Sequence, residues 1–257
     1  MEVVDPRDRF LRSVDRSVRE RLGKKKRSLN VACTSFDVIE LAVVYENLFC
    51  AFFEGPDGAN AAVQAIVADI SLKYQQEGLC TRVSLSHLEG HCNANNPYTA
   101  VFRTNGVENS ICNDPISQLS IFQDFWVANR KQVRRDVAHL FHGYNHASRT
   151  IGCAYIGVLC NSFSGYAVNE ITYGGNNNQR LWNVLVAHEL GHNAGTRHDA
   201  PNSGFIMNPG VCDCQVCLRL LHSIFWSNCS HHPILPTYVS FLSDVQRRKY
   251  HTNVGAA

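Results

Sequence analysis

One stretch restricts what this chain can fold into more than any other: His188-Glu189-Leu190-Gly191-His192-Asn193-Ala194-Gly195-Thr196-Arg197-His198-Asp199. His188 and His192 are four apart, so on an α-helix they stand one above the other on a single face. That spacing lets two imidazoles grip one ion. Glu189 lies beside such an ion rather than on it, where it can take a proton from a water on the metal. Gly195 allows a turn with positive φ that a side chain would resist, and the turn brings His198 round as a third ligand. Three nitrogens leave a fourth position open, which suits a catalytic zinc rather than a closed structural one. A helix whose histidines are only core or surface residues would explain the pair, but not Gly195 and His198 at fixed offsets beyond it. Farther on, Phe205-Ile206-Met207-Asn208-Pro209 sets a Met in a tight turn.

The rest of the chain is consistent with a globular enzyme. Its 257 residues are enough for one large or two small domains. The net charge of +2 gives no reason to expect nucleic acid or an acidic membrane surface as partner. The most apolar stretch, residues 38–53, is interrupted by Glu40 and Glu46 and cannot span a bilayer. Eleven cysteines point to an oxidising compartment. The odd number leaves one thiol free or paired outside the chain. Glu2, Asp5, Arg7, Asp8 and Arg9 exclude an apolar signal peptide at the start, so the chain is read as a fragment or incomplete gene product, with a cytosolic protein as the other reading.

Residues 38–45 are apolar and β-branched, as in a buried strand. Pro56-Asp57-Gly58 reads as a turn, and residues 61–74 have helical periodicity. Residues 81–88 alternate like a second strand, and 93–97 form a loop. Residues 118–131, with Ile121, Phe122, Phe125, Trp126 and Val127, read as an amphipathic helix. This order predicts an α/β fold: a mixed, mostly parallel twisted sheet covered by helices. His139, His142 and His146 suggest a second metal site, but no carboxylate or thiolate recurs with them at ligand spacing, so a structural role is expected.

The pattern H-E-x-x-H-x-x-G-x-x-H-D with a later Met resembles the metzincin zinc endopeptidases. Asp199 after the third His points to the reprolysin branch, also called adamalysin or ADAM-like. Residues 136–141 and 151–160 are similar to segments that precede the zinc helix in that family. Phe225-Trp226-Ser227-Asn228-Cys229-Ser230 is similar to its late F-S-x-C-S signature with one residue inserted. The resemblance implies a zincin-like α+β arrangement of the α/β fold, with a zinc cleft between a large and a small subdomain. These are residues 28–194, ending in the zinc helix, and 195–257, carrying the Met-turn. It implies one Zn2+ on His188, His192 and His198, Glu189 as catalytic acid/base, and Met207 as a hydrophobic base beneath the metal. Asp199 would tie the turn by hydrogen bonds. Calcium is left open.

By the same resemblance, residues 150–159 form the edge strand above the cleft, where the backbone of Ile151 and Gly152 pairs with an extended substrate by β-augmentation. A plain edge strand, blunted by its loops, is the alternative. A strand over 166–173 leads through the Asn-rich loop into the zinc helix, and residues 208–211 wall the pocket for the residue after the scissile bond. Lys24-Lys25-Lys26-Arg27 before Ser28 reads either as a solvated or nuclear-targeting basic run or, as reprolysin precursors imply, as a cleavage site. In the second case residues 1–27 are a propeptide remnant and 28–257 the catalytic domain. Departures from the family are Tyr45-Glu46 where an Asp often follows the first strand, Phe205 in place of Cys, and the Cys212, Cys214, Cys217 cluster. The function implied is a secreted, monomeric zinc metalloendopeptidase acting on protein or peptide substrates outside the cell. The rivals are a catalytically silent zinc-bearing binding module and an unrelated metal-dependent hydrolase.

Overall fold

The computed structural model describes residues 35–76, 79–104, 107–112, 117–144, 150–172, 178–201 and 205–210. The basic run with Arg27 and Ser28, His146, the Cys212, Cys214, Cys217 cluster and the 225–230 signature lie outside the described residues. So does most of the expected small subdomain.

Five strands form one twisted sheet in the order β2-β1-β5-β7-β6. They are β1 (Asp37–Tyr45), β2 (Thr81–Gly90), β5 (Val137–His142), β6 (Gly152–Ala154) and β7 (Tyr166–Glu170). All neighbours run parallel except β6, which is antiparallel to β7 at one edge. β3 (Arg103–Thr104) and β4 (Val107–Glu108) make a separate small ribbon. The sheet is thus mixed and mostly parallel, as the strand–helix alternation predicts.

Side-chain alternation along β1 divides the core in two. Ile39, Leu41, Val43 and Tyr45 face one cluster with α1 (Asn47–Phe52), α2 (Pro56–Gln76) and α5 (Gln179–Asn193). Ala42 and Val44 face the other, with α3 (Thr99–Phe102) and α4 (Gln118–Asn129). A strand buried on both faces needs apolar residues at every step, which is why residues 38–45 read as a continuous run.

Several boundaries differ from the sequence reading. Pro56-Asp57-Gly58 is the first turn of α2 rather than a separate turn, because proline's missing N–H costs nothing at a helix start. The reversal falls just before it, where Glu54 and Gly55 have φ of 60° and 118°. The unforeseen α1 is set by Glu46, whose carboxylate accepts from the N–H groups of Leu48, Phe49 and Gly143, each at 2.8 Å. The expected edge strand over 150–159 is a regular strand only at Gly152–Ala154. Beyond it the N–H groups of Gly157, Val158 and Leu159 donate to the carbonyls of His192 and Asn193 at 2.8–2.9 Å, so the end of α5 draws the chain off the sheet. β7 ends at Glu170, short of the expected 173.

Candidate metal centre

α5 is buried from Trp182 to Asn193, so its two histidines enter the protein interior on a fixed support. Trp182 stands edge-on to Phe52 and Phe53, with ring centroids 5.6 and 5.5 Å away. Two polar ties to α2 fix the helix along its axis. Tyr74 Oη donates to the Ala187 carbonyl at 3.2 Å, and Asn183 Nδ2 to Asp69 Oδ2 at 2.8 Å.

The helix ends as its sequence requires. Ala194 caps it, and Gly195 takes φ +98°, in the left-handed region that glycine enters without steric cost. His198 is thereby returned to the face of His188 and His192. Its Nε2 lies 3.1 Å from the Nε2 of each. The Nδ1 atoms of the buried pair are engaged by carbonyls, His188 to Ile206 at 2.6 Å and His192 to Thr196 at 2.8 Å. An Nδ1–H donor leaves the Nε2 lone pair free, which fixes the tautomer a metal ligand needs. Nitrogens about 2.0–2.1 Å from a tetrahedral zinc would stand roughly 3.3 Å apart, close to the observed spacing. Burial pushes the His188 imidazolium down to about 4 and lowers that of His192, so both are neutral and able to coordinate near pH 7. Among the described residues these three are the one group of His, Cys, Asp and Glu able to hold a metal.

Glu189 follows the first of these histidines and is 4% exposed. Burial pushes its carboxyl up to about 8. Its Oε2 has no hydrogen-bond partner among the described residues. Met207 is buried beneath the helix against Gly191, where an added Cβ would come within 2.6 Å of the Met207 sulfur. The Met207 carbonyl accepts from the Asp199 N–H at 2.8 Å, so Asp199 ties the turn through its backbone. Asn208 is buried, while Pro209 and Gly210 are exposed.

Of the histidines outside this group, His139 has structural partners. His139 is fully buried, with Nε2 3.0 Å from Asn193 Oδ1 and Nδ1 3.3 Å from Asn169 Nδ2. Burial pushes it down to about 4. Asn193 donates in turn to the carbonyls of Tyr155 and Tyr166 at 3.0 and 3.1 Å. This buried network, anchoring the end of the ligand-bearing helix to β5, β7 and the segment after β6, had no signal in the sequence beyond polar residues in apolar runs.

The edge strand passes directly over Glu189. The Ile151 carbonyl accepts from the Glu170 N–H at 2.8 Å, and the Tyr155 N–H donates to the Tyr166 carbonyl at 3.3 Å. With Cys153 opposite Val168, antiparallel alternation turns the backbone groups of Gly152 and Ala154 outward. Of the two positions expected to pair with a peptide, Ile151 commits its carbonyl to the sheet and Gly152 faces out. A disulfide, Cys112–Cys153, fixes the strand from its other face. Cys50–Cys92 is a second disulfide. Cys80 and Cys160 are also disulfide-bonded.

The reprolysin-type sequence profile of metallo-peptidase family M12 (Reprolysin_5) matches residues 36–224. The chain is similar to zinc metalloproteinase-disintegrin-like brevilysin H2a of Gloydius brevicauda, 32% identical over 117 residues, which cover 44% of this chain and 25% of that protein. It is also similar to the kaouthiagin-like zinc metalloproteinase-disintegrin-like protein of Naja atra, 34% identical over 99 residues, covering 38% and 15% respectively. The matches therefore span a quarter or less of these curated relatives.

Proposed function

The chain belongs to the reprolysin-type M12 metallopeptidases, and on that premise we propose that it is a zinc-dependent endopeptidase cleaving internal bonds of extracellular or cell-surface proteins. The observation that carries this reading is the convergence of three imidazole Nε2 atoms beside a buried carboxylate, under a sheet edge with outward-facing backbone.

His188, His192 and His198 would hold the ion. When bound there, zinc would supply Lewis acidity for an attacking water and the scissile carbonyl. The protein's own groups do the rest. Gly152 and Ala154 offer main-chain donors and acceptors to an extended peptide, which β-augmentation would hold across the cleft. Glu189 takes the proton of the attacking water and delivers it to the departing amine. Its burial keeps the carboxyl out of bulk water, and with a cation held by the three histidines its pKa would be lowered again, so that it could act as a base at neutral pH. Met207 shapes the floor under the ligands without taking part in proton transfer. The domain assignment continues from the sequence: cleavage after Arg27 would release residues 1–27, and the enzyme beginning at Ser28 would act outside the cell as a monomer.

The test measures zinc content and cleavage of a quenched peptide library, with Glu189→Ala alongside. One zinc per chain, chelator-sensitive cleavage and a fall in kcat of about 10²–10⁴-fold in the variant are expected. Zinc without cleavage in either protein would favour the silent binding module. An unaltered rate in Glu189→Ala would remove the residue from the mechanism.

A further inference from the structure

The Glu189 carboxylate is not positioned by hydrogen bonds from a neighbouring side chain. Its Oε2 has no hydrogen-bond partner among the described residues. What bounds it is packing. A Cβ placed on Gly152 would lie 2.5 Å from Glu189 Oε1, 3.0 Å from its Cδ and 2.8 Å from Leu185 Cδ1. The carboxylate therefore rests directly on the backbone of β6, in space that any other amino acid would fill. β6 cannot easily yield. One residue earlier the Ile151 carbonyl is held by Glu170, and one residue later Cys153 is held by Cys112. Strand geometry gives Gly152 two directions at once: its outward N–H and C=O lie along the sheet edge, while its bare Cα faces α5.

We infer that Gly152 is a positioning residue that seats the Glu189 carboxylate against the peptide-docking edge, so that one residue sets the distance between bound substrate and base. The inference rests on the peptidase reading above. It makes the absence of a side chain at position 152 a requirement of proton transfer, while the main-chain groups that would pair with a peptide are the same in any residue. A role confined to backbone pairing with the peptide would leave the base unaffected.

The experiment uses the full 257-residue chain and compares the unmodified protein, Gly152→Ala and Gly152→Ala/Leu185→Ala. In the single variant, zinc content should be unchanged, KM should stay within about twofold and kcat should fall roughly 10–100-fold, the cost of misplacing a catalytic group by about an ångström. Its crystal structure should show the carboxylate moved by roughly 1 Å, enough to restore van der Waals contact with the added methyl. Trimming Leu185 gives that methyl room on its other side and should restore part of kcat. A raised KM with kcat unchanged would overturn the inference, as would an unmoved carboxylate or a double variant with no recovery. If the single variant fails to fold, the double variant decides. Recovered folding with a kcat within about tenfold of the unmodified value supports the inference; a folded enzyme slower than that, or no recovery of folding, overturns it. Absence of zinc or of cleavage in the unmodified chain would instead bring down the peptidase reading, and this inference with it.

Discussion

The two edges of the sheet are built in opposite ways. β2 is ten residues long and runs parallel to β1 along its whole length. Its register slips between Leu41 and Ala42, so that Ser86 bulges. Its far end is crowded with polar groups. Glu89 takes two hydrogen bonds from Arg130 at 2.7 and 2.8 Å and contacts His91 at 2.7 Å. A bulge and inward charge are devices that keep an edge from recruiting another strand. β6 has three paired residues, a glycine and none of these devices among the described residues. Cys50–Cys92, which ties α1 to the segment after β2, and Cys112–Cys153, on β6, close loops of nearly equal length, with separations of 42 and 41. Among the described residues, one edge is protected from pairing, while the other is braced and pairs with no further strand. Bracing and blocking are separate functions, and only the braced, open edge lies over the candidate base.

The equal loops allow a direct test of that difference. Replacing either cysteine pair by serines should cost about 2–4 kcal/mol, since the chain-entropy contribution depends on loop length, and thermal unfolding would measure it. Only Cys112→Ser/Cys153→Ser should also depress peptide cleavage at temperatures where both variants remain folded. Equal losses of kcat/KM in the two would erase the distinction between the edges.

A smaller effect separates the buried charges. In the metal-free fold the Glu189 carboxyl is raised from 4.5 to about 8 by burial. Between those values the native state holds a proton that the unfolded chain has released, so stability falls as pH rises from about 4.5 towards 8. Metal-free Glu189→Gln should lack that decline and outlast the parent protein at pH 8 in denaturant titrations. Parallel pH profiles would contradict it. At the other edge the sign reverses. Burial would raise Glu89, but the hydrogen bonds of Arg130 and His91 and the charge of Arg130 outweigh it and hold the carboxyl down to about 2. Its contribution is present above about pH 4.5 and lost as pH falls towards 2. Arg130→Ala should therefore cost the smallest amount, about 1–2 kcal/mol at neutral pH given that Arg130 is partly solvated. It should flatten the acid limb and leave cleavage unchanged. A changed cleavage rate would tie the blocked edge to catalysis.

The grouping of the three histidines was legible in the sequence because it is local: His188, His192, Gly195 and His198 sit on one helix and the turn that ends it, where spacing alone dictates direction. The parallel sheet was legible too, since β1 is buried on both faces from Leu41 to Tyr45 and is apolar at every one of those steps. What could not be read depends on distant segments meeting. No spacing rule shows that Gly152 lies against Glu189, that Cys112 pairs with Cys153, or that Asn193 joins His139. The early end of β6 was hidden for the same reason, because the competing partners of residues 157–159 belong to α5.

That last contact has a thermodynamic consequence. A helix usually satisfies its final carbonyls with its own next turn or with water. Here α5 does so for Leu190 and Gly191, but its last two carbonyls, His192 and Asn193, also accept from the chain that continues directly from the edge strand. α5 and the segment that follows β6 are thus joined by main-chain hydrogen bonds, so a shift of one would strain the other. Coupled sites obey reciprocity: if the metal tightens the hold of the edge on a peptide, the peptide must tighten the hold of the histidines on the metal by the same factor. A peptide gripping the edge would then slow zinc loss to a chelator, and the protein would keep its ion best while occupied.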